Sequence, residues 1–379
     1  MKMNKPKITY AQVGDDYTTK DPVKKLAQVQ AAATGKNLTN GFEEVNDSRG
    51  ESAYVWKQNG VYMASVIEGL GTKSLVADDM RKITGKTYYD VVAHDTVAYI
   101  INDLITVGAK PLVVHAYWAI EDNTWLDDAK RMNDLITGWR NACDASGASW
   151  GGGETATDKG IIEKNTIDLA GSAVGIIGSE DRLITDKKLK GGDRILFLKS
   201  NGINASGISL ARAIAKRLPE EYATKLPDGS FFGEAILTKC NIYAKLIKEL
   251  LDSGVEIHYI SYISGHGLRK IMRARQKFTY VIEKLFDPQE VFLFIQENAN
   301  LDDYEMYQTY NMGQDYAIFI PISDVQKAQE IIKSNGFEGL DAGYLEEGER
   351  KVVIRTKSLQ ASLIKPKNII FEGKTLDLR

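Results

Sequence analysis

An apolar run that ends in a glycine-rich turn is the feature that most limits how this chain can fold. Residues 61–67 are apolar enough to form a buried strand, the EGLGTK loop (residues 68–73) follows, and residues 74–83 could be helical. Two glycines spaced two apart let the backbone turn tightly and approach a ligand closely. The threonine hydroxyl and lysine ammonium that follow suit phosphate oxygens. A structural turn without a ligand remains the alternative interpretation of so short a stretch.

Strand and helix patterns alternate on both sides of this loop. Strands are predicted at residues 53–58, 61–67, 111–120, 166–177, 194–198, 258–263, 280–283, 317–322 and 351–355. Helices are predicted at residues 23–33, 74–83, 89–107, 127–145, 206–215, 235–251, 268–275, 288–298 and 323–335. Asn59-Gly60 predicts a hairpin between the first two strands. The alternation favours an α/β or α+β protein.

The length of the chain favours two domains. At 379 residues it exceeds the usual size of one domain. The charged, glycine-punctuated residues 178–193 suggest a boundary near residue 180. The predicted division is a flexible N-terminal segment at 1–50, a first domain at 51–180, a second at 181–357, and an exposed C-terminal extension at 358–379.

Composition excludes several classes of protein. A net charge of −3 gives no sign of a nucleic-acid surface. The chain has no apolar signal core at its start and no stretch of membrane-spanning length. Cys143 and Cys240 are far apart and match no metal spacing, so we expect two buried thiols in a reducing compartment. These features predict a cytoplasmic protein that binds neither nucleic acid nor membrane.

Three polar side chains interrupt the apolar helix predicted at residues 89–107. Asp95 and Asn102 lie two turns apart and share one face, and Asp103 lies at the edge of that face. Burying carboxylates without partners is costly, and a divalent cation would pair them. Oxygen ligands favour Mg²⁺ over zinc. A solvated helix face is the alternative.

Two more glycine-rich stretches repeat the pattern of the EGLGTK loop. Residues 149–156 (SWGGGETA) read as a second turn that ends in a carboxylate and a hydroxyl, and residues 264–267 (SGHG) read as a third, which we name the glycine turn. Residues 305–313 read as a polar loop before a strand. Together the stretches predict a magnesium–nucleotide site between two domains. The sequence contains no Walker A motif, so this is not a P-loop site.

Taken in order, these motifs resemble the aminoimidazole ribonucleotide synthetase family, the phosphoribosylformylglycinamidine cyclo-ligases. The EGLGTK loop is similar to the family's Asp-Gly-Val-Gly-Thr-Lys signature. Further similar segments are residues 95–103 (DTVAYIIND), 152–156 (GGETA), 168–171 (DLAG), 264–268 (SGHGL) and 305–313 (EMYQTYNMG). The ordered set runs from about residue 10 to 355 and is far more specific than any one motif.

The resemblance implies both a fold and a reaction. The fold has an N-terminal sheet domain that dimerises into a barrel and a C-terminal α/β domain, so we expect a homodimer. The reaction uses ATP and Mg²⁺ to phosphorylate the amide oxygen of formylglycinamidine ribonucleotide, after which an internal amine closes the imidazole ring.

The resemblance also implies roles for particular residues. Lys73, Asp95 and Asn204 are the catalytic candidates. The metal candidates are Glu68, Asp95, Asn102, Asp103 and Glu154. The nucleotide-binding candidates are Gly69, Gly71, Thr72, Lys73, Gly152, Gly153, Thr155, Gly265, Gly267 and Asn311.

Three departures from the family pattern leave the substrate open. Glu68 replaces Asp, Asn204 replaces a histidine, and His266 interrupts a triple glycine. One alternative is therefore a related ATP-dependent enzyme that phosphorylates another small substrate, like thiamine-monophosphate kinase or a hydrogenase maturation protein. Another is a nucleotide-binding or scaffold protein without catalysis.

Overall fold

Two β-sheets with packed helices make up the computed structural model, which describes residues 6–355 and 368–376. The strands are β1 (Phe42–Glu44), β2 (Tyr54–Gln58), β3 (Val61–Gly69), β4 (Lys110–Ile120), β5 (Ser149–Thr157), β6 (Ile167–Ile177), β7 (Arg194–Lys199), β8 (Tyr259–Tyr262), β9 (Phe278–Ile282), β10 (Gln314–Ile320), β11 (Gly339–Glu347), β12 (Lys351–Ile354) and β13 (Ile369–Glu372). The helices are α1 (Tyr17–Ala32), α2 (Lys73–Thr84), α3 (Tyr89–Leu104), α4 (Ala129–Ser146), α5 (Ile208–Ala215), α6 (Phe232–Ile236), α7 (Ala244–Asp252), α8 (Glu290–Ala299), α9 (Asp303–Thr309) and α10 (Val325–Ser334).

The first sheet has the order β1-β2-β3-β6-β4-β5 and is antiparallel except for the parallel pair β4–β5. The predicted hairpin is confirmed: Gln58 pairs with Val61 across Asn59-Gly60, both of which have positive φ. Along β6 buried positions alternate with partly exposed ones. One face of this sheet therefore packs on the core while the other is only partly covered.

The second sheet has the order β13-β12-β9-β11-β7-β10-β8, and β12–β9 is its parallel pair. Strand β10 is buried at every position. A strand that is covered on both faces reads as a nearly continuous apolar run. The two sheets and their helices confirm the predicted α+β class.

Helix α3 joins the two halves of the molecule. It packs against β3, β6 and α4, and almost all of its residues are buried. Two glycines of β6 let it lie close to the sheet: a Cβ at Gly171 would stand 2.9 Å from Ile100, and one at Gly175 would stand 3.1 Å from Leu104. The opposite face of α3 hydrogen-bonds to the second half of the chain.

The prediction of a glycine-rich turn at residues 149–156 is wrong. These residues form β5, the exposed edge strand beside β4. A register shift at Val114/Ala116 and a φ of 97° at Gly152 mark a bulge. A Cβ at Gly153 would lie 2.1 Å from the carbonyl oxygen of Ala116. The glycines serve strand pairing here.

The single helix predicted at residues 235–251 is also wrong. Helix α6 ends at Ile236 and α7 begins at Ala244. Between them, Asp95 and Asn102 of α3 accept hydrogen bonds from backbone N–H groups. Side chains of another element thus replace the helical backbone partners. We name residues 237–243 the connecting loop.

Smaller corrections concern both ends of the chain. Helix α1 begins at Tyr17 with Asp16 as its N-cap, so Pro22 lies inside it. The polar loop predicted at residues 305–313 begins as a helix, because α9 extends to Thr309. Part of the expected exposed extension is strand β13, in which Phe371 is buried; residues 358–367 and 377–379 lie outside the described residues.

Two further findings bear on the sequence expectations. Cys143 and Cys240 are both buried free thiols, as predicted. In residues 6–355 and 368–376, no helix has the length and apolarity to cross a membrane.

The contact between α3 and β6 leads to a stability prediction. A Cβ at position 171 would also meet the carbonyl oxygen of His115 at 2.3 Å. Gly171→Ala should therefore lower the free energy of unfolding by about 1–3 kcal/mol, as measured by urea denaturation. Gly178→Ala is the control, because its Cβ would meet nothing closer than 3.8 Å. Equal effects of the two substitutions would contradict this packing.

Candidate active site between the two domains

A fully buried ion pair lies where the EGLGTK loop meets helix α3. Lys73, the first residue of α2, donates to Asp95 Oδ2 at 2.5 Å, and neither side chain is exposed. Its ammonium also donates to the carbonyl oxygens of Asn204 at 2.8 Å and Thr238 at 3.1 Å. An ammonium has three N–H donors, and here all three have partners. Lys73 thus ties the first half of the chain to two segments of the second.

The polar face of α3 forms hydrogen bonds with the backbone of the connecting loop. Asp95 Oδ1 accepts from the N–H of Cys240 at 2.8 Å. Asn102, two turns further on, accepts from the N–H of Tyr243 at 3.1 Å and donates to the carbonyl oxygen of Asn241 at 2.8 Å. The prediction that Asp95 and Asn102 share a face is confirmed. The alternative that Asp95 and Asp103 lie on a solvated helix face is wrong, because both residues are buried.

Asn204 extends this network into the second sheet. Its φ of 59° is left-handed, a conformation that asparagine tolerates better than most residues. Its Nδ2 donates to Asp315 Oδ1 at 2.7 Å, and Tyr243 donates to Asp315 Oδ2 at 2.7 Å. Burial raises the pKa of Asp315 to about 7, although both hydrogen bonds lower it. Asn204 Oδ1 is buried without a hydrogen-bond partner among the described residues.

A second acidic group lies at the other end of the loop. Glu68, at the end of β3, faces Asp103 of α3, and burial together with the charge of Asp103 raises the pKa of Glu68 to about 8. Asp103 is buried, and its Oδ1 has no hydrogen-bond partner within the described part of the chain. We name Glu68 and Asp103 the acid pair. Two carboxylates this close disfavour each other's ionised form, and a nearby positive charge would favour it.

The second domain supplies a cation near the acid pair. Lys270 follows the glycine turn, is buried, and donates a hydrogen bond to Ser264. Burial lowers the pKa of Lys270, and the charges of Asp103 and Glu68 oppose that shift. The EGLGTK loop and the glycine turn, far apart in sequence, thus border one site.

The acid pair fits Mg²⁺ better than the other metal candidates do. Mg²⁺ commonly takes one or two protein carboxylates and completes its shell with water and phosphate oxygens. Asp95 and Asn102 already have protein partners. Across the described residues, no three His, Cys, Asp or Glu side chains are grouped to hold a metal. The acid pair would thus leave most of the coordination shell of a Mg²⁺ ion to water and phosphate oxygens.

Glu154 does not join the acid pair within one chain. It pairs with Tyr117, which pairs with Ala170, which pairs with Gly69. Three strand spacings, about 14 Å, thus separate it from the EGLGTK loop. The nucleotide candidates Gly152, Gly153 and Thr155 lie on the same exposed edge strand.

The remaining nucleotide candidates differ in whether protein atoms already contact them. Thr72 is the N-cap of α2, yet its hydroxyl caps nothing and is buried without a partner among the described residues. A Cβ at Gly71 would meet no atom within 4 Å, and one at Gly69 none closer than 3.8 Å. Asn311 donates to the carbonyl oxygen of Gly202 and accepts from Ser200 and from the backbone N–H of Gly313. Gly265 and Gly267 form the glycine turn but are closely covered.

Sequence reasoning missed Lys270, Asp315 and Tyr243. A carboxylate inside the apolar stretch of residues 314–320 was a usable signal for Asp315, because such a residue needs a partner. Lys270 and Tyr243 carried no local signal. Their roles come from tertiary contacts alone.

Family models match most of the chain. The model described as "AIR synthase related protein, N-terminal domain" matches residues 50–177, and that described as "AIR synthase related protein, C-terminal domain" matches residues 190–355. A curated relative named phosphoribosylformylglycinamidine cyclo-ligase, from Methanothermobacter thermautotrophicus, is 30% identical over 330 residues, which is 86% of this chain and 91% of the relative.

Solved structures share the fold at lower identity. HypE in a HypE–HypF complex matches with a TM-score of 0.59 at 17% identity, over 90% of this chain and 100% of that one. ThiL complexed with AMPPCP and TMP matches with a TM-score of 0.57 at 14% identity, over 90% and 95% of the two chains.

The buried ion pair leads to a double-mutant prediction. Lys73→Met leaves the Asp95 carboxylate buried and unpaired, so the free energy of unfolding should fall by about 3–5 kcal/mol. Asp95→Asn alone should also destabilise, and the double variant should lose less than the sum. Denaturant titration measures all three. Lys82→Met, in an exposed pair with Asp79, is the control and should change little; a Lys73→Met effect as small as this would refute the pairing.

Asp315 leads to a pH prediction. The raised pKa means that the folded state holds a proton that the unfolded state releases above its value of 3.8. Below pH 3.8 the carboxyl of Asp315 is protonated in both states and costs no stability. As the pH rises from 3.8 to about 7, the free energy of unfolding should fall by up to about 4 kcal/mol. Urea titrations at pH 4.5 and 8 should show wild type losing stability relative to Asp315→Asn. Parallel pH profiles of the two proteins would contradict the shift.

Proposed function

The chain belongs to the AIR synthase related family, and we propose that it is a phosphoribosylformylglycinamidine cyclo-ligase. The observation that carries this proposal is the curated relative of that name, which aligns with this chain over 91% of the relative's own length. The activity is the ATP-dependent closure of an imidazole ring, which gives aminoimidazole ribonucleotide in purine biosynthesis. We place the reaction in the cytoplasm and the domain boundary near residue 180.

The reaction has two bond-forming steps. The amide oxygen of formylglycinamidine ribonucleotide takes the γ-phosphoryl group of ATP: an O–P bond forms, the bond to the β-phosphate bridging oxygen breaks, and ADP leaves. The internal amine then attacks the activated carbon, a C–N bond forms, and the C–O bond to the phosphate breaks. Phosphorylation turns a poor leaving group into a good one. The protein need mainly position the reactants and stabilise charge.

The acid pair is the proposed metal site. Mg²⁺ held there would neutralise phosphate charge during transfer. Two close carboxylates disfavour full ionisation without a cation, which matches the raised pKa of Glu68. The buried Oδ1 of Asp103 provides a free ligand atom. The neighbouring Lys270 would supply a second positive charge from the opposite domain.

Thr72 and Lys73 have different proposed roles, the first in phosphate contacts and the second in positioning the domains. We assign the Thr72 hydroxyl and the backbone of Gly69 and Gly71 to phosphate contacts, since the hydroxyl has no hydrogen-bond partner among the described residues and no atom crowds either glycine. Lys73 has no donor left for a phosphate in this arrangement. It is a positioning residue that fixes the two domains around the site, with Asp95 and Asn204.

A homodimer would complete the first sheet. Ile67 is 77% exposed and Tyr117 39% exposed on the open face. A second copy packed there would bury them and close the sheets into a barrel. The edge strand β5, with Gly152, Gly153, Glu154 and Thr155, would then lie at the junction between copies.

One observation favours a second candidate. Asn204 stands where the resembled family has a histidine; its amide cannot titrate, and it is buried and donates a hydrogen bond to Asp315. A related ATP-dependent enzyme with another small acceptor would fit this difference. Turnover of ATP with thiamine monophosphate, and none with formylglycinamidine ribonucleotide, would select it.

The direct test combines product analysis with one variant. Purified protein with ATP, Mg²⁺ and formylglycinamidine ribonucleotide should yield aminoimidazole ribonucleotide, ADP and phosphate. Asp103→Asn should lower kcat/KM by about 100-fold or more, because a metal-held charge is worth several kcal/mol in the transition state.

Excess Mg²⁺ should partly restore the Asp103→Asn activity, because the defect is weak metal binding. Asp79→Asn is the matched control in an exposed ion pair. Absence of product from wild type under saturating substrate rejects the proposed function. Unchanged activity of Asp103→Asn rejects the acid pair as the metal site.

A further inference from the structure

Helix α1 lies over the glycine turn and is held there by its first turn. The ring of Tyr17 stacks on His266, with ring centroids 3.6 Å apart and 21° between the planes. The Tyr17 hydroxyl accepts from the backbone N–H of His266 at 3.1 Å. Asp21, one helical turn later, lies 3.2 Å from His266 Nε2. The guanidinium of Arg269 stands 5.7 Å from the Tyr17 ring.

Tyr17 occupies the space that the glycine turn would offer a ligand. A Cβ at Gly265 would lie 2.7 Å from the Tyr17 hydroxyl oxygen. The phenol therefore lies directly against the bare backbone of that turn. A phosphate group and the phenol cannot both contact the backbone at this point, because their atoms would overlap.

The rest of α1 is lightly attached. None of its residues is buried, and Val23, Leu26 and Val29 are 62–65% exposed. Its far end is held by a hydrogen bond from Arg49 to the carbonyl oxygen of Ala31 at 3.2 Å. A helix that buries so little apolar surface needs little free energy to lift.

His266 is the residue that makes this attachment specific. It stands at φ 73°, in the left-handed region where glycine is favoured, and glycine is what the resembled family has there. Burial lowers the pKa of His266 to about 4, so the imidazole is neutral at pH 7 and can donate to Asp21. The contacts with Tyr17 and Asp21 offset the strain of that backbone conformation.

We propose that α1 is a latch that covers the glycine turn, and that it must lift before a nucleotide can reach that turn. His266 holds α1 in place through its contacts with Tyr17 and Asp21, and Tyr17 covers the backbone of the turn. The inference rests on the proposed function, because it takes the glycine turn as part of the nucleotide site. Only the molecules in which α1 is lifted can then bind nucleotide at this turn. Because that fraction is small, the apparent Kd is larger than the Kd of the lifted form.

Stopped-flow binding of a fluorescent ATP analogue, mant-ATP with Mg²⁺, tests the latch. Tyr17→Ala and His266→Gly should each raise the association rate and tighten the Kd about three- to tenfold, the factor that corresponds to one aromatic pair with its hydrogen bond. Tyr17→Phe keeps the stacking and should lie between wild type and Tyr17→Ala. Val23→Ala, on the exposed face of α1, is the control and should match wild type.

Limited trypsin digestion at Lys24 and Lys25 gives a readout independent of affinity. Both are exposed residues of α1. Cleavage should be faster in Tyr17→Ala than in wild type, and mant-ATP should accelerate it in wild type.

Two results separate the latch from the proposed function. Equal binding rates and equal cleavage in wild type and Tyr17→Ala overturn the latch and leave the proposed function standing. Weaker binding by Tyr17→Ala also overturns it, since α1 would then complete the site instead of blocking it. Failure of every variant to bind mant-ATP overturns both.

Discussion

The buried contact between Lys73 and Asp95 is the interaction on which the arrangement of this molecule depends. Burying two charges is costly unless every donor and acceptor is used. Here the ammonium has three oxygen partners, and the Asp95 carboxylate receives a backbone N–H as well. Two of the ammonium's partners, the carbonyl oxygens of Asn204 and Thr238, lie 131 and 165 residues further along the chain. The pair therefore fixes how the two domains meet, and the site between them inherits that geometry.

The same loop serves a second purpose at its other end. Lys73 closes the domain contact, while Glu68 and Asp103 lie beside Lys270 and form the proposed metal site. A buried domain contact beside a pair of carboxylates suits a reaction that depends on positioning, because the reacting groups must be held while charge moves. Helix α1 adds a further contact, the stacking of Tyr17 on His266 over the glycine turn.

Local sequence patterns predicted many of the helices, strands and turns, but they did not predict which side chains meet across the fold. The hairpin at Asn59-Gly60 and the shared face of Asp95 and Asn102 follow from turn chemistry and helical periodicity, and both are confirmed. The break between α6 and α7 could not be predicted, because its cause is the side chains of α3, over 130 residues away. Asp168 and Asp315 gave the same signal, a carboxylate in an apolar strand. Both strands are interior to their sheets, and Asp315 is buried because β10 is covered on both faces, whereas Asp168 lies on the exposed face of β6.

A crystal structure with Mg²⁺ and a non-hydrolysable ATP analogue tests the central claim most directly, which is that Lys73 holds the domains together while the acid pair holds the metal. We expect Mg²⁺ at about 2.1 Å from oxygens of Glu68 and Asp103, with the Lys73 ammonium still on Asp95. Mg²⁺ bound at Asp95, or Lys73 moved onto a phosphate oxygen, would contradict the division of roles between the two ends of the EGLGTK loop.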